Sequence, residues 1–195
     1  MDEVLQHFVD CRAVLKGHFI LSSGLHSDTY LQCARVLMYP HISAKLCSLL
    51  ASKIKNTCSS TMTAVVSPAM GGVVVGYETA KQLNILSIFC ERVNGIFELR
   101  RGFNLETNQQ IIVVEDVITT GKSTLETIEL VEKLGAKVVA VACLIDRRNN
   151  KTDNIFSVPL ISLLQLSVQT FEPTNIPQHL VNIPAIKPGS RPSQK

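Results

Sequence analysis

Ile111-Ile112-Val113-Val114-Glu115-Asp116-Val117-Ile118-Thr119-Thr120-Gly121-Lys122-Ser123-Thr124 decides how the rest of the chain is read. Four consecutive apolar, β-branched residues predict a strand buried on both faces. Two carboxylates follow at its carboxyl end, where open α/β sheets place their ligands. The run from Thr119 to Thr124 is small, hydroxyl-rich and glycine-containing, and a helical pattern follows it. Its backbone N–H groups and hydroxyls can therefore converge on an anion at a helix N-terminus.

The tail of this run, Gly121-Lys122-Ser123-Thr124, also ends the common nucleotide-binding loop Gly-x-x-x-x-Gly-Lys-Ser/Thr. That loop needs a glycine at position 116, where this chain has Asp116. A carboxylate there would repel the phosphates that such a loop wraps. An acidic pair ahead of an anion cradle fits a ligand with hydroxyls on one side and a phosphate on the other, a ribose 5-phosphate. The carboxylates accept from vicinal hydroxyls while the loop and helix end take the phosphate.

The chain has 195 residues, 46% hydrophobic and 18% charged, enough for one α/β domain with a sizeable core. A net charge of +3 without a long Lys/Arg run gives no argument for nucleic acid and suits a small anionic substrate. Cys11, Cys33, Cys47, Cys58, Cys90 and Cys143 form no Cys-x-x-Cys pair and mostly sit in apolar runs, so they read as packed, reduced thiols. The acidic start Met1-Asp2-Glu3 is unlike a signal peptide, and no apolar run is long enough to span a membrane. A cytoplasmic protein with no membrane partner is expected.

Taken in order, the spacing predicts an amphipathic helix over 2–15 and two short strands over 17–31 around a Ser-Ser-Gly turn. A helix follows over 40–54, then a short buried strand, Ala64-Val65-Val66. Next comes Ser67-Pro68-Ala69-Met70-Gly71-Gly72, leading into a helix over 73–83. A strand, a two-glycine turn and a helix can hold a second anion, although such glycines also serve close helix packing. Residues 85–90 predict a strand, and Asn94-Gly95 a hairpin that forms a β-ribbon arm carrying Arg92, Arg100 and Arg101. Residues 123–134 predict a helix and 137–145 a strand, so that 111–145 forms a β-α-β unit with Asp146-Arg147-Arg148 on the same sheet edge as Glu115 and Asp116. Residues 159–166 read as a last strand or a short helix. The prolines from Pro173 onward break regular structure, and a mobile tail is expected over 183–195.

The segment Val113 to Thr124 resembles the phosphoribosyl pyrophosphate signature of the type I phosphoribosyltransferases: apolar residues, two acids, then small and hydroxyl residues around Thr-Gly. The stretch with Phe19, Ser23-Gly24 and Ser27-x-x-Tyr30 resembles the N-terminal hood of the orotate phosphoribosyltransferases within that family. The resemblance implies a mostly parallel sheet of about five strands with helices on both faces and a small hood. The domain would run over 1–182, with the hood at about 1–35 and the core at about 40–166.

It also implies transfer of the 5-phosphoribosyl group from phosphoribosyl pyrophosphate to orotate, in pyrimidine synthesis, with magnesium on the pyrophosphate and a homodimer sharing the arm. By the same resemblance Glu115 and Asp116 hold the ribose hydroxyls, and Val117, Ile118, Thr119, Thr120, Gly121, Lys122 and Ser123 hold the 5-phosphate. Lys122 either adds charge there or points to water. Ala69, Met70, Gly71 and Gly72 hold the pyrophosphate together with Arg92. Orotate would meet Thr119, Tyr30 and Arg147, which stands 28 residues beyond Thr119 as in the orotate enzymes.

The sequence departs from better-known members in the arm, which has arginines where they have lysines and a histidine, and at Ser22, where many have lysine. Arg100 and Arg101 are counted with the catalytic residues in their place. A guanidinium suits pyrophosphate oxygens but cannot act as a general acid near neutral pH, and a solvated charged hairpin also fits these residues. His18 and His26 read as packing or solvated groups outside the catalytic set. A phosphoribosyltransferase for a purine or another base, and a regulator that binds the donor without chemistry, stay open as alternatives.

Overall fold

The computed structural model describes residues 3–21, 23–148 and 155–188. Ser22 and the tail from residue 189 onward lie outside the described residues. The chain divides into two compact units, one of residues up to Val36 together with those from Ser167, the other Leu37–Leu166.

In the first unit α1 (Glu3–Asp10) is followed by β1 (Val14–Ile20) and β2 (His26–Leu31), an antiparallel pair. The helix stops five residues short of the predicted end. Arg12 takes a left-handed φ of 51° and Ala13 N–H closes on Phe8 O at 2.8 Å, which turns the chain. Val14 and Leu15, predicted as helix, pair instead with Leu31 and Tyr30. β-Branched Val14 favours the strand once a partner is offered.

Residues 183–188 are not a loose end. Ile186 N–H donates to His18 O at 2.9 Å, and Ile20 N–H donates to Ile186 O at 2.8 Å. His18 Nδ1 faces Ile183 O at 2.8 Å and His18 Nε2 faces His26 Nδ1 at 2.6 Å. A carbonyl can only accept, so His18 Nδ1 carries a proton; in the neutral ring His26 then donates to Nε2. The pair is tied into the backbone of its own unit. Proline-rich chain can still cover an open strand edge where a non-proline residue, here Ile186, supplies the N–H.

The second unit holds a six-stranded sheet in the order β5-β4-β3-β6-β7-β8. β3 (Ala64–Pro68), β4 (Leu86–Val93), β6 (Gln110–Ile118), β7 (Lys137–Asp146) and β8 (Leu160–Gln165) are parallel, and β5 (Ile96–Leu99) adds an antiparallel edge. Residues 160–165 are thus a strand, and the arm is the edge hairpin of the main sheet. Its turn places Asn94 at φ 51° and Gly95 at φ 85°, the conformation that Asn-Gly favours.

α2 (Ala34–Leu37) begins in the first unit and ends in the second, and α3 (Pro40–Thr57) follows it. α4 (Gly71–Leu83) runs from β3 to β4, α5 (Lys122–Lys133) from β6 to β7, and α6 (Gln178–Val181) closes the described chain. Strand alternation sorts the core. Ala64, Val66, Ile111 and Val113 pack with Ile128 and Val131 of α5. Val65 and Ser67 turn the other way, under Gly76 of α4, where an added Cβ would stand 1.9 Å from Ser67 Oγ. α4 and α5 therefore cover opposite faces, and α3 packs beside α4. Cys47 and Cys90 are buried in this core, which pushes each thiol up to about 11. Inert, reduced thiols result.

Candidate active site

The strand order sets the site. From β3 the chain moves outward to β4 on one side, whereas from β6 it moves outward to β7 on the other. Connections that diverge from two neighbouring parallel strands open a crevice at their carboxyl ends, where such sheets bind ligands. The β3–α4 turn and the β6–α5 bend, the two stretches read from sequence as anion sites, are the two walls of that crevice.

β6 runs further than its apolar core predicts. It pairs with β3 only as far as Val113, but with β7 as far as Ile118, opposite Asp146. Glu115, Asp116 and Val117 therefore lie within the strand, bonded on one side and open on the other, and are half-buried. The pleat sends the two acids to opposite faces.

Glu115 points to the α5 face, where Thr124 Oγ1 donates to its Oε2. Asp116 points to the α4 face, with Oδ1 accepting Val117 N–H at 2.9 Å. A Cβ added at Gly71 would stand 3.0 Å from Asp116 Oδ1 and 3.1 Å from Oδ2. The second acid is thus seated directly against the Gly71-Gly72 turn, which explains a residue without a side chain there.

Burial pushes the Asp116 carboxyl above its ordinary range, against the Val117 N–H. Burial pushes Glu115 up to about 7; the Thr124 hydroxyl and Arg92 act against this shift, and Asp116 and Glu126 add to it. A raised folded-state pKa means that the folded chain holds this proton more tightly than the unfolded chain. Stability from this group therefore falls as pH rises from about 4.5 to about 7 and is level beyond. Glu115→Gln is expected to stabilise the ligand-free chain by about 1–3 kcal/mol at pH 8, discounted for partial exposure, and to change little near pH 4. Urea denaturation at the two pH values checks it, and equal shifts at both would refute the cause.

The bend after β6 has Gly121 at φ 76°, buried, with α5 starting at Lys122. Gly121 offers no side-chain cap, and among the described residues Lys122 N–H meets only Thr120 Oγ1 at 3.4 Å, so that none of them closes the first turn to an anion. Thr119 is half-buried, Ser123 likewise, and Thr120 exposed. Ile118 is buried in the core and can offer only backbone. Lys122 points outward, 73% exposed and 4.0 Å from Glu126.

Across the crevice, the Ala69–Met70 peptide is cis, Ala69 N–H donates to Cys90 O at 2.8 Å, and α4 begins at Gly71 with Met70 exposed.

The arginines have separate fates. Arg92 pairs with Glu126 of α5, donates to Gly95 O at 2.6 Å and lies 4.0 Å over the Phe97 ring. Arg101 makes a forked pair with Glu91 at 3.0 and 3.1 Å. Arg100 is exposed, and among the described residues nothing engages its side chain. Arg148, not Arg147, forms the structural ion pair with buried Asp146, bidentate at 3.0 Å. Arg147 is anchored by its N–H to Ile118 O at 2.8 Å, which places it beside Thr119. Tyr30 stands on β2 in the first unit, its ring 5.7 Å from that of Phe19.

Sequence reading missed Thr124 as a partner of Glu115 and Glu126 as a partner of Arg92. No local spacing marks either: Arg92 and Glu126 lie 34 residues apart, and the Thr124 contact needs the helix's rotation over the sheet.

Residues 39–171 match the family model described as a phosphoribosyl transferase domain. Orotate phosphoribosyltransferase of Rhizorhabdus wittichii is 49% identical over 190 residues, 97% of this chain and 96% of its own length. The protein of that name from Caldicellulosiruptor bescii is also 49% identical, covering 97% of both. Among solved structures, orotate phosphoribosyltransferase from Aeropyrum pernix superposes with a TM-score of 0.72 at 24% identity, over 84% of this chain and 93% of that one. Adenine phosphoribosyltransferase from Thermoanaerobacter pseudethanolicus superposes at 0.61 with 16% identity, over 71% and 88%. The fold is thus common to enzymes of different bases, while identity near one half over almost the whole length runs to those named for orotate, and the chain belongs to the orotate phosphoribosyltransferase family.

Proposed function

We propose that this chain transfers the 5-phosphoribosyl group of phosphoribosyl pyrophosphate to N1 of orotate, giving orotidine 5′-monophosphate and pyrophosphate in pyrimidine synthesis. The bond from C1′ to pyrophosphate breaks, the pair leaving with pyrophosphate, and the bond from C1′ to N1 forms as N1 gives up its proton to water or an oxygen of the departing pyrophosphate. Positive charge grows on the ribose ring, so the chain's task is to position the reactants and stabilise that charge.

The observation that carries this reading is the seating of Asp116 against the Gly71 turn, beside the open Thr119–Ser123 bend. A ribose at the end of β6 has Glu115 and Asp116 as acceptors on its two sides, its 5-phosphate in the bend and its pyrophosphate at Ala69–Gly72. Arg100 is the arm residue available to the pyrophosphate, since Arg92 and Arg101 are held by Glu126 and Glu91. Thr119 and Arg147 meet the base.

Magnesium enters as the counter-ion of the donor's pyrophosphate, so the magnesium complex is the substrate. Glu115 and Asp116 turn to opposite faces of the sheet and so do not converge on one ion. Such geometry suits a metal carried on phosphate oxygens and water. The working unit is a homodimer: Met70, Val74 and Tyr77 leave large apolar surface along one stripe of α4, next to the pyrophosphate turn. The cytoplasm is the site of action, consistent with six free thiols and, among the described residues, no helix long and apolar enough to cross a membrane.

A spectrophotometric assay tests the reaction. Orotate should be consumed only with donor and magnesium, and neither adenine nor hypoxanthine should release pyrophosphate. Donor binding without turnover of any base would favour the regulator instead. Arg147→Ala is expected to raise KM for orotate about 10- to 100-fold, the loss of a charge-assisted contact, with the donor KM within about twofold. An equal rise for both substrates would place Arg147 elsewhere.

A further inference from the structure

Thr124 ends the hydroxyl-rich run expected to meet a phosphate, yet it is fully buried, and its hydroxyl turns to the sheet. It stands in the first turn of α5 on the side that also buries Thr127 and Ile128. Thr127 spends its hydroxyl on its own helix, donating to Ser123 O at 2.8 Å. Thr124 does not; it donates to Glu115 Oε2, and among the described residues no other hydrogen bond reaches that carboxylate.

We infer that Thr124 is a positioning residue, whose hydroxyl fixes one oxygen of Glu115 and leaves the other for the ribose of the donor. This rests on the reading of Glu115 as a ribose-holding acid. A hydroxyl suits the task because it directs a carboxylate without neutralising it, whereas a guanidinium would cancel the charge that the growing ribosyl cation requires. The nearby guanidinium, Arg92, is kept occupied by Glu126 and Gly95 O.

The charged and titratable neighbours of Glu115 are Asp116 on its own strand, Arg92 and Cys90 on β4, Cys143 on β7 and Glu126 on α5. Of the influences that favour its ionised form, the Thr124 hydroxyl is the largest. Without it, the carboxylate would ionise only at higher pH.

Thr124→Val removes the hydroxyl and keeps the shape; Thr124→Ser keeps the hydroxyl. In profiles of kcat/KM for the donor, the acid limb of Thr124→Val should move up by about one pH unit. The loss is then about tenfold below pH 7 and within about twofold at pH 9. Thr124→Ser should return the limb to its wild-type place, with the Tm of all three within a few degrees. In a Glu115→Gln background, Thr124→Val should cost nothing further, because the two act as one unit. A loss independent of pH, or a full further tenfold loss in that background, would overturn the inference and leave Thr124 a packing residue. Carbon-13 titration of the Glu115 carboxyl separates this from the reading of the reaction, since it needs no turnover. A midpoint raised in Thr124→Val supports the inference even if the wild type ignores orotate, and an unmoved midpoint ends it.

Discussion

Asp116→Asn is expected to lower kcat/KM for the donor by about a hundred- to a thousandfold, the range seen when one preorganised charge-stabilising group is removed. Asparagine has the same shape, so the fold should stay intact. The chemistry of the exposed half of the side chain changes sign. Asp116 Oδ1 is already committed to Val117 N–H at 2.9 Å. An asparagine would keep its carbonyl oxygen there and turn its amide, a donor, toward the place where the carboxylate accepts from a ribose hydroxyl. The negative charge beside the developing cation would be lost as well. Both kcat and donor KM should suffer, because hydroxyls are bound in the ground state and the cation appears only in the transition state. Steady-state kinetics with orotate saturating reads this directly. Full activity in a folded Asp116→Asn would remove the acid from the site.

Gly121→Ala is expected to destabilise the chain by about 2–4 kcal/mol, combining a left-handed non-glycine residue with overpacking. The backbone has φ 76° there, and the new methyl would stand 2.5 Å from Ile155 Cδ1 and 3.1 Å from Phe156 Cζ. Phe156 is itself buried in the core that α5 covers, so the ring has little room to withdraw. Relief would come from moving the bend, and the bend is the proposed phosphate cradle. Donor KM should therefore rise about tenfold or more beside a melting temperature lowered by roughly 5–15 °C for a chain of this size. Thermal denaturation and donor titration check the two parts. Unchanged stability would mean that the loop adapts freely.

Much of the core was legible because its residues leave few choices. Ile111 to Val114 can hardly be anything but a buried strand, and Asn94-Gly95 imposes a tight turn whose φ values the structure repeats. The glycines at 71 and 72 read correctly as a turn into a helix, although only the structure shows that one of them makes room for Asp116.

Other features depend on partners far off in sequence. Charged residues seldom announce a strand, yet β6 continues through Glu115 and Asp116 because β7 supplies a ladder as far as Asp146. The same continuation turns the two acids to opposite faces of the sheet, which adjacency in sequence does not show. Which of two adjacent arginines takes Asp146 is decided by the chain's exit from β7: Arg147 leaves its N–H on Ile118 O while Arg148 folds its fork back on the carboxylate. Leu15 read as helix until β2 offered it Tyr30 as a pair. Ile186 read as tail until the edge of β1 offered it a place.

The central claim is that the acids at the end of β6 and the bend after it hold opposite ends of one sugar phosphate. The measurement that meets it head-on is a crystal structure with magnesium and phosphoribosyl pyrophosphate bound. The 5-phosphate should lie within hydrogen-bonding distance of the backbone N–H groups of residues 119–123, with the ribose hydroxyls on Glu115 and Asp116 and the pyrophosphate at Ala69–Gly72. A donor with its 5-phosphate at the Gly71 turn, or with its hydroxyls touching neither acid, would contradict the account.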